Sequence, residues 1–333
     1  MAIIEVKDIN KKFQTFIRPK GVGNAIKTLF VRNYETKWAV KDLSFEIQPG
    51  ELVGYIGANG AGKSTTIKML SGILVPDSGS VVVNGLVPYE RRKENARNIG
   101  VVFGQRSQLN WDLPMEDTFQ LYQKMYRIPD AVYRENMNLC LELLQMEAFL
   151  RKPVRHLSLG QRMRAELAIA LLHDPKILFL DEPTIGLDVL VKDSIRKFIR
   201  ELNERKNTTV ILTTHDMTDI EEICDRVIMI DQGRILADTT LEQFKESHAS
   251  SYFVKVVSGE KKKEIDNPGI TCISRKGDTW EYAVDKKRIP VNELLEIFSQ
   301  AFVVRDISIQ QEPIDEIVRN IYRSIEKNQA AAD

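Results

Sequence analysis

The segment that decides the fold of this chain is Gly57-Ala58-Asn59-Gly60-Ala61-Gly62-Lys63-Ser64-Thr65. It matches G-x-x-x-x-G-K-[ST], the pattern of the phosphate-binding loop of nucleotide hydrolases. The apolar run 52–56 before it is typical of a buried strand, and residues 66–70 after it predict a helix that stops at Gly72. The order of strand, glycine loop and helix favours a phosphate-binding turn over a glycine-rich turn with an unrelated lysine.

Each part of this phosphate loop, residues 57–65, has a predicted chemical role. Its glycines let successive backbone N–H groups curl around a polyphosphate, and the N-terminus of the following helix adds favourable partial charge. Lys63 would reach the β- and γ-phosphates, and the hydroxyl of Ser64 would hold Mg²⁺. We therefore expect residues 57–65 to bind a nucleoside triphosphate.

Length, charge and cysteine content limit the remaining possibilities. With 333 residues the chain is long enough for one large domain and one small domain. Lys+Arg and Asp+Glu both number 47, so no overall charge favours a nucleic acid or an acidic partner. The three cysteines are far apart, which is typical of a reducing compartment without disulfides. The N-terminus does not resemble a signal peptide, and no uncharged apolar run is as long as a membrane span.

Strand and helix patterns alternate along the first 240 residues. Strands are predicted at residues 2–9, 39–47, 52–56, 79–84, 99–103, 177–180, 209–213, 227–230 and 234–237. Because helices separate several of them, the pattern predicts an α/β domain with a parallel sheet that a final hairpin makes mixed. Within this domain, residues 112–160 predict a helical subdomain.

The composition changes after residue 247. Short strands are predicted at 252–257, 270–274, 280–284 and 303–309, and helices at 291–302 and 313–325. This pattern predicts a small α+β domain over residues 247–328. It carries no His/Cys cluster and no glycine loop, so its expected role is stability or self-association.

The segment 13–33 is rich in basic residues and has no acidic residue. Its cations are Arg18, Lys20, Lys27 and Arg32, and its second half has apolar residues at helical spacing. A basic amphipathic piece of this kind suits a lipid surface or a loop of a partner protein. The alternative is a solvated insertion that packs on its own domain.

Polar side chains follow three predicted strands. Asp181 and Glu182 end one strand, at the edge of an α/β sheet where ligands bind, which disfavours an interpretation as plain surface acids. We expect Asp181 to hold Mg²⁺ and Glu182 to orient or deprotonate the attacking water. His215 follows the next strand and could contact the γ-phosphate and Glu182, and the amide oxygen of Gln105 could complete the metal shell.

Together with Leu157-Ser158-Leu159-Gly160-Gln161, these residues resemble the nucleotide-binding subunit of ATP-binding cassette (ABC) transporters over residues 2–240. Ser158, Gly160 and Gln161 match the LSGGQ signature of that family, which caps ATP bound to the opposing subunit, and Leu159 replaces its first glycine. The resemblance also implies a D-loop at Asp188 and an adenine-stacking ring at Tyr34, with Trp38 as the fallback. A buried core ring is the alternative for Tyr34.

The resemblance implies a P-loop ABC ATPase that binds ATP and Mg²⁺ and works as a head-to-tail pair, either a homodimer or a pair with a related ATPase. The segments 101–114 and 312–322 resemble ATPases of ABC-2-type exporters of the daunorubicin-resistance kind. Such a subunit would lie on the cytoplasmic face of the membrane and power a separate permease, with no nucleic acid as partner.

Two other functions remain possible at this stage. A soluble ABC ATPase could act on the ribosome or on nucleic acid, although the tandem cassettes or coiled-coil insertion of such proteins are absent. A cassette that only binds ATP is the other possibility, and the presence of both Glu182 and His215 disfavours it.

Overall fold

A computed structural model describes residues 1–16, 34–104 and 107–330. The chain forms two compact units, Met1–Leu241 and Glu242–Asp333. Among the described residues, no helix combines the length and the apolar character that crossing a membrane requires. Most of the basic segment predicted at 13–33 lies outside the described residues, and residues 13–16 belong to a strand.

The first unit contains the strands β1 (Ile4–Phe16), β2 (Tyr34–Ile47), β3 (Leu52–Gly57), β4 (Ser78–Val83), β5 (Ile99–Phe103), β6 (Ile177–Asp181), β7 (Thr209–Thr213), β8 (Arg226–Asp231) and β9 (Arg234–Thr240). Its helices are α1 (Lys63–Leu70), α2 (Arg92–Asn98), α3 (Met115–Tyr126), α4 (Asp130–Leu144), α5 (Leu159–Leu171), α6 (Val189–Lys206) and α7 (Met217–Ile223). A short 3-10 helix, Val154–His156, precedes α5.

The main sheet has the strand order β5-β6-β7-β3-β8-β9. All neighbours in it are parallel except β8 and β9, which form the antiparallel hairpin that the sequence predicts. Strands β6, β7 and β3 read as continuous apolar runs because both faces of a central parallel strand are buried. The predicted α/β fold with a mixed sheet is therefore confirmed.

A second, antiparallel sheet has the order β2-β1-β4. Strands β1 and β2 are longer than the sequence pattern indicates, because their outer halves carry polar and charged residues that face solvent. One apolar core joins the two sheets and includes the fully buried side chains of Ile4, Leu43 and Ile228. Tyr55 of β3 packs in the same core, where its hydroxyl hydrogen-bonds Thr66 of α1 at 3.1 Å.

Helix α2 is an element that the sequence patterns do not predict. Its sequence, RKENARN, has no apolar stripe and therefore no helical period to detect. Its one buried residue is Asn95, which donates to the carbonyl oxygen of Leu70 at 3.4 Å.

The second unit is a separate α+β structure. It contains α8 (Leu241–His248), β10 (Ser251–Lys261), β11 (Ile270–Lys276), β12 (Thr279–Asp285), α9 (Val291–Ala301), β13 (Phe302–Gln311) and α10 (Ile314–Ala330). Its antiparallel sheet has the order β11-β12-β10-β13. An aromatic group of Trp280, Tyr282, Phe298 and Phe302 fills the core between this sheet and α9.

Candidate functional site

The predicted phosphate loop connects β3 to α1, and its shape depends on glycine. Gly62 precedes α1 with a φ of 114°, and a Cβ at this position would lie 2.3 Å from the carbonyl oxygen of Ala39. A Cβ on Gly57 would lie 2.5 Å from the carbonyl oxygen of Ile230. Backbone on neighbouring strands therefore encloses both ends of the loop, whereas its tip at Asn59 and Gly60 is exposed.

Lys63 lies inside this loop and is only 7% exposed. Its Nζ donates to the carbonyl oxygens of Gly57 at 2.6 Å and Ala58 at 3.1 Å. Burial lowers the pKa of Lys63, and the nearby carboxylates of Glu182 and Asp181 act in the opposite direction. The loop therefore holds a cation at its centre, where phosphate oxygens could replace the carbonyl partners.

The predicted magnesium ligands Ser64 and Asp181 lie side by side. The Oγ of Ser64 is 3.3 Å from Oδ1 of Asp181, and the same oxygen accepts a 2.6 Å hydrogen bond from the hydroxyl of Thr213. A hydroxyl and a carboxylate are oxygen ligands that suit Mg²⁺. No cluster of three or more His, Cys, Asp and Glu side chains that could hold a metal occurs among the described residues. The donor set thus fits a metal that takes its remaining ligands from a phosphate substrate and water.

Glu182 and His215 form a close pair at the ends of two adjacent strands. Nε2 of His215 is 2.6 Å from Oε1 of Glu182. Glu182 has a φ of 57°, a left-handed conformation that is unfavourable for a residue with a side chain. Its backbone N–H donates to the carbonyl oxygen of Thr213 at 2.9 Å, which holds it in this position.

Ser64, Asp181 and Glu182 line a cavity of about 250 Å³ at the carboxyl edge of the main sheet. The lining residues are Ser64, Lys68, Ile73, Phe103, Gly104, Asp181 and Glu182. Because parallel strands β5 and β6 pair Phe103 with Asp181, their carboxyl ends meet at this edge. Open α/β sheets bind ligands at such an edge, so the cavity is the candidate site.

A larger cleft, of about 1000 Å³, lies elsewhere in the first unit and contains none of the predicted site residues. Pro49, Lys176 and Thr208 line it, and they precede β3, β6 and β7. It therefore lies at the amino ends of the strands, opposite the edge at which α/β sheets bind ligands. We assign the function to the smaller cavity for this reason.

Comparison with known proteins places this geometry in a family. The family described as "ABC transporter" matches residues 40–185. The chain is 33% identical over 212 residues to the ABC transporter ATP-binding protein NatA of Bacillus subtilis (strain 168), which covers 64% of this chain and 86% of NatA. The chain belongs to the ABC transporter ATP-binding family. The resemblance stated from the sequence is thereby confirmed.

Other proteins that resemble this ABC cassette support the same family assignment. The Nod factor export ATP-binding protein I of Rhizobium sp. (strain N33) is 32% identical over 78% of this chain and 86% of its own. Among solved structures, a post-hydrolysis dimer of an ATP-binding cassette bound to ADP and Pi has a TM-score of 0.59 and 26% identity, covering 72% of this chain and 98% of its own. The P-loop ABC ATPase fold is confirmed by this likeness.

The signature segment begins helix α5 of the cassette. Ser158 is the N-cap of α5 and forms a capping box with Gln161, whose backbone N–H donates to Oγ of Ser158 at 3.2 Å while its Oε1 accepts from the N–H of Ser158 at 3.0 Å. Leu159 is 40% exposed, and a Cβ on Gly186 would lie 3.3 Å from its Cδ2. The side chain of Leu159 therefore lies beside Gly186, and Gly160 is buried against Val191.

Other predicted residues lie at the edges of this arrangement. Asp188 is the N-cap of α6 and accepts a 3.0 Å hydrogen bond from the N–H of Val191. Tyr34 is the first residue of β2, but its side chain lies outside the described part of the structure. Trp38 is 41% exposed, with Nζ of Lys12 5.6 Å from its ring centroid. Gln105 lies outside the described residues, so its predicted role stays a prediction.

Sequence reasoning missed several residues that hold the site. Thr213 binds Asp181 through its hydroxyl, and Gly233 donates through its N–H to the carbonyl oxygen of Ala61 at 2.9 Å. The first could have been found from its place at the end of β7, directly beside Asp181 in the sheet register. The second had no signal, because it depends on how the turn between β8 and β9 lies against the phosphate loop.

Proposed function

We propose that this cassette is a Mg²⁺-dependent ATPase that powers export through a separate ABC-2-type membrane permease. The observation that carries the hydrolytic part is the contact of His215 with Glu182, which lines the same cavity as Ser64 and Asp181. The export part rests on the relatives, since the Nod factor and linearmycin resistance proteins carry export or resistance in their names.

The residues of the site suit the hydrolysis of ATP. The backbone N–H groups of the phosphate loop and the cation of Lys63 bind the triphosphate and withdraw charge from it. Glu182 accepts a proton from a water molecule, whose oxygen attacks the γ-phosphorus. The bond from that phosphorus to the bridging β–γ oxygen breaks, and ADP and phosphate leave. His215 holds the carboxylate of Glu182 by the 2.6 Å contact and so orients it towards the water.

Ser64 and Asp181 would hold Mg²⁺, with Gln105 as a further ligand. The metal, when bound, neutralises charge on the β- and γ-phosphates. The chain itself prepares this place, because the hydroxyl of Thr213 donates a 2.6 Å hydrogen bond to one oxygen of Asp181 and so fixes the carboxylate beside Ser64. The single carboxylate in this group keeps affinity low in the absence of nucleotide, so metal and ATP should bind together.

We further propose that two cassettes pair head to tail, as a homodimer or with a related ATPase. The signature residues Ser158 and Gly160 are far along the chain from the phosphate loop and would cap ATP on the partner. A group of exposed apolar side chains lies around the D-loop and the signature, namely Leu159, Ile185, Val189 and Leu190, which are 40%, 45%, 71% and 81% exposed. Such a patch favours a protein interface over a solvated surface.

The helical subdomain offers a surface for a permease. Trp111, Leu121 and Met125 are 52%, 46% and 62% exposed, although large apolar side chains are normally buried. This coupling surface, defined by these three residues, would receive a cytoplasmic loop of the permease. The cassette would then be peripheral, on the cytoplasmic face of the membrane.

Two experiments test the proposed function. Purified protein should bind ATP and hydrolyse it only with Mg²⁺, Lys63→Ala should abolish nucleotide binding, and the exposed Lys197→Ala should serve as the unaffected control. Tagged protein expressed with its genomic neighbours should co-purify with a membrane protein. Turnover that RNA or DNA stimulates, without any membrane partner, would instead support a soluble ATPase.

A further inference from the structure

A buried acid outside the predicted site connects the two catalytic strands. Asp219 of α7 is completely buried. Its Oδ2 accepts hydrogen bonds from the hydroxyls of Thr184 at 2.5 Å and Thr214 at 2.8 Å, and its Oδ1 accepts from Nε of Arg196 at 2.7 Å. Every partner of this carboxylate is itself buried.

The two threonines flank the reacting groups in the chain. Thr184 is two residues after Glu182, and Thr214 immediately precedes His215. One carboxylate oxygen thus binds both segments and holds them together. On the other side of each reacting residue, the backbone is fixed by the sheet, where β6 and β7 pair Asp181 with Thr213.

Arg196 extends the connection to helix α6. Its guanidinium is 6% exposed and also contacts the carboxylates of Asp193 at 3.1 Å, Asp216 at 3.4 Å and Glu222 at 3.5 Å. Burial lowers the pKa of Arg196, but the hydrogen bond to Asp219 and the surrounding acids raise it overall. Arg196 lies in α6, the helix that Asp188 caps, so the buried ionic group joins the segments that carry Glu182 and His215 to the helix that follows the D-loop.

Stability alone does not explain a buried ionic group of this kind. Removing two charges from water costs several kcal/mol per ion, and apolar side chains of similar volume are often as stabilising. The hydrogen bonds and ion pairs of Asp219 and Arg196 instead fix the positions of the backbone segments that carry Glu182 and His215. Glu182 has an unfavourable φ of 57°, and a strained backbone of this kind persists only where surrounding contacts over-determine it.

We propose that Asp219 is a positioning residue for ATP hydrolysis, because it binds the segments that carry Glu182 and His215 and joins them to α6 through Arg196. It does not touch the substrate. It sets the separation and orientation of the two groups that do. This inference rests on the proposed function and names a part of the site that neither the sequence motifs nor the comparisons assign.

The test removes single hydroxyls from the network and measures turnover. Thr184→Val and Thr214→Val keep the shape of the side chain and delete one hydrogen bond each. We expect kcat to fall about ten- to a hundred-fold, since small misplacements of catalytic groups have effects of this size, with KM for ATP little changed. Thr184→Ser, which keeps the hydroxyl, should restore kcat.

A matched control lies on β7, the strand that Thr214 directly follows. Thr209 begins β7, is fully buried, and accepts a 2.9 Å hydrogen bond from the N–H of Gly50. Thr209→Val should lower the melting temperature about as much as the two test variants and leave kcat unchanged. If Asp219→Asn folds, its kcat is a third test of the positioning role. If it does not fold, the two threonine variants decide whether Asp219 positions the reacting groups.

The outcomes separate the two proposals. If Thr184→Val and Thr214→Val lose only stability, like Thr209→Val, and keep the kcat of the wild type, the positioning role is wrong while the ATPase function stands. If the wild-type protein itself shows no turnover with Mg²⁺ and ATP, the proposed function is wrong and the inference is overturned with it.

Discussion

Nε2 of His215 lies 2.6 Å from Oε1 of Glu182, although 33 positions of sequence separate the two residues. The contact follows from the sheet. Strands β6 and β7 are parallel neighbours, and their register pairs Asp181 with Thr213. The residues that follow these strand ends therefore come together at the carboxyl edge, where Glu182 lines the same cavity as Ser64.

This contact makes Glu182→Gln a decisive variant. An amide cannot accept the proton of the attacking water, so turnover should fall by roughly 10²- to 10⁴-fold. ATP binding should remain, because the phosphate loop is unchanged, and the ATP-bound dimer should accumulate in size-exclusion chromatography. The control is Glu204→Gln, an exposed residue of α6. If Glu182→Gln elutes only as a monomer in the presence of ATP, the proposed head-to-tail dimer is wrong.

The phosphate loop predicts a contrast between two glycines. Gly62→Ala should destabilise the protein and abolish nucleotide binding, because the new Cβ would lie 2.3 Å from the carbonyl oxygen of Ala39 at a φ of 114°. Gly60→Ala meets no atom within 4 Å, so it should cost only the left-handed backbone penalty of roughly 1–2 kcal/mol. Urea unfolding of both variants measures the difference. Equal losses in the free energy of unfolding for the two variants would show that the backbone around Gly62 leaves room for a Cβ.

The exposed apolar patch beside the D-loop predicts that a charge placed in it impairs dimerisation of the cassette without impairing folding or ATP binding. Leu190→Glu should fold and bind ATP as a monomer, because this side chain is 81% exposed. It should not form the ATP-bound dimer when combined with Glu182→Gln, because a charge would be buried in an apolar interface. Leu236→Glu is the matched control, since Leu236 is 44% exposed and lies on the edge strand β9. Normal dimerisation of Leu190→Glu would exclude this patch from the interface.

His173 predicts a pH dependence of stability. Burial lowers its pKa below the ordinary 6.5, although the hydrogen bond of its Nε2 to the carbonyl oxygen of Ile99 at 2.9 Å opposes the shift. Below about pH 6.5 His173 is protonated in the unfolded chain, whereas in the folded protein its lowered pKa keeps it neutral. The stability that follows from this difference is complete above pH 6.5 and is lost as the pH falls through the pKa of the folded state.

The measurement compares wild type with His173→Gln by urea unfolding between pH 8 and pH 5. The difference in free energy of unfolding between them should be constant at the alkaline end, which is the internal control. Towards pH 5 the wild type should lose more stability than the variant. A constant difference over the whole range would contradict the assignment.

Local chemistry explains why the phosphate loop, the ends of β6 and β7 and the positions of the strands along the chain could be predicted. Gly62 and Lys63 belong to one contiguous pattern, and the acids Asp181 and Glu182 follow an uninterrupted apolar run. Each of these signals depends on neighbours in the chain. The helix α2 and the outer half of β1 left no such signal, since polar side chains dominate both.

The sequence by itself determined a nucleotide site on an α/β fold, because a glycine loop, a lysine and strand-terminal acids act through short-range geometry, and its motifs resembled those of the ABC family. Only the tertiary structure decided which buried groups support them. Thr184, Arg196 and Thr214 meet at Asp219 from three separate segments of the chain. The physical reason is that a buried carboxylate must find its hydrogen-bond donors in space, and the packing of α6 and α7 on the sheet brings them there.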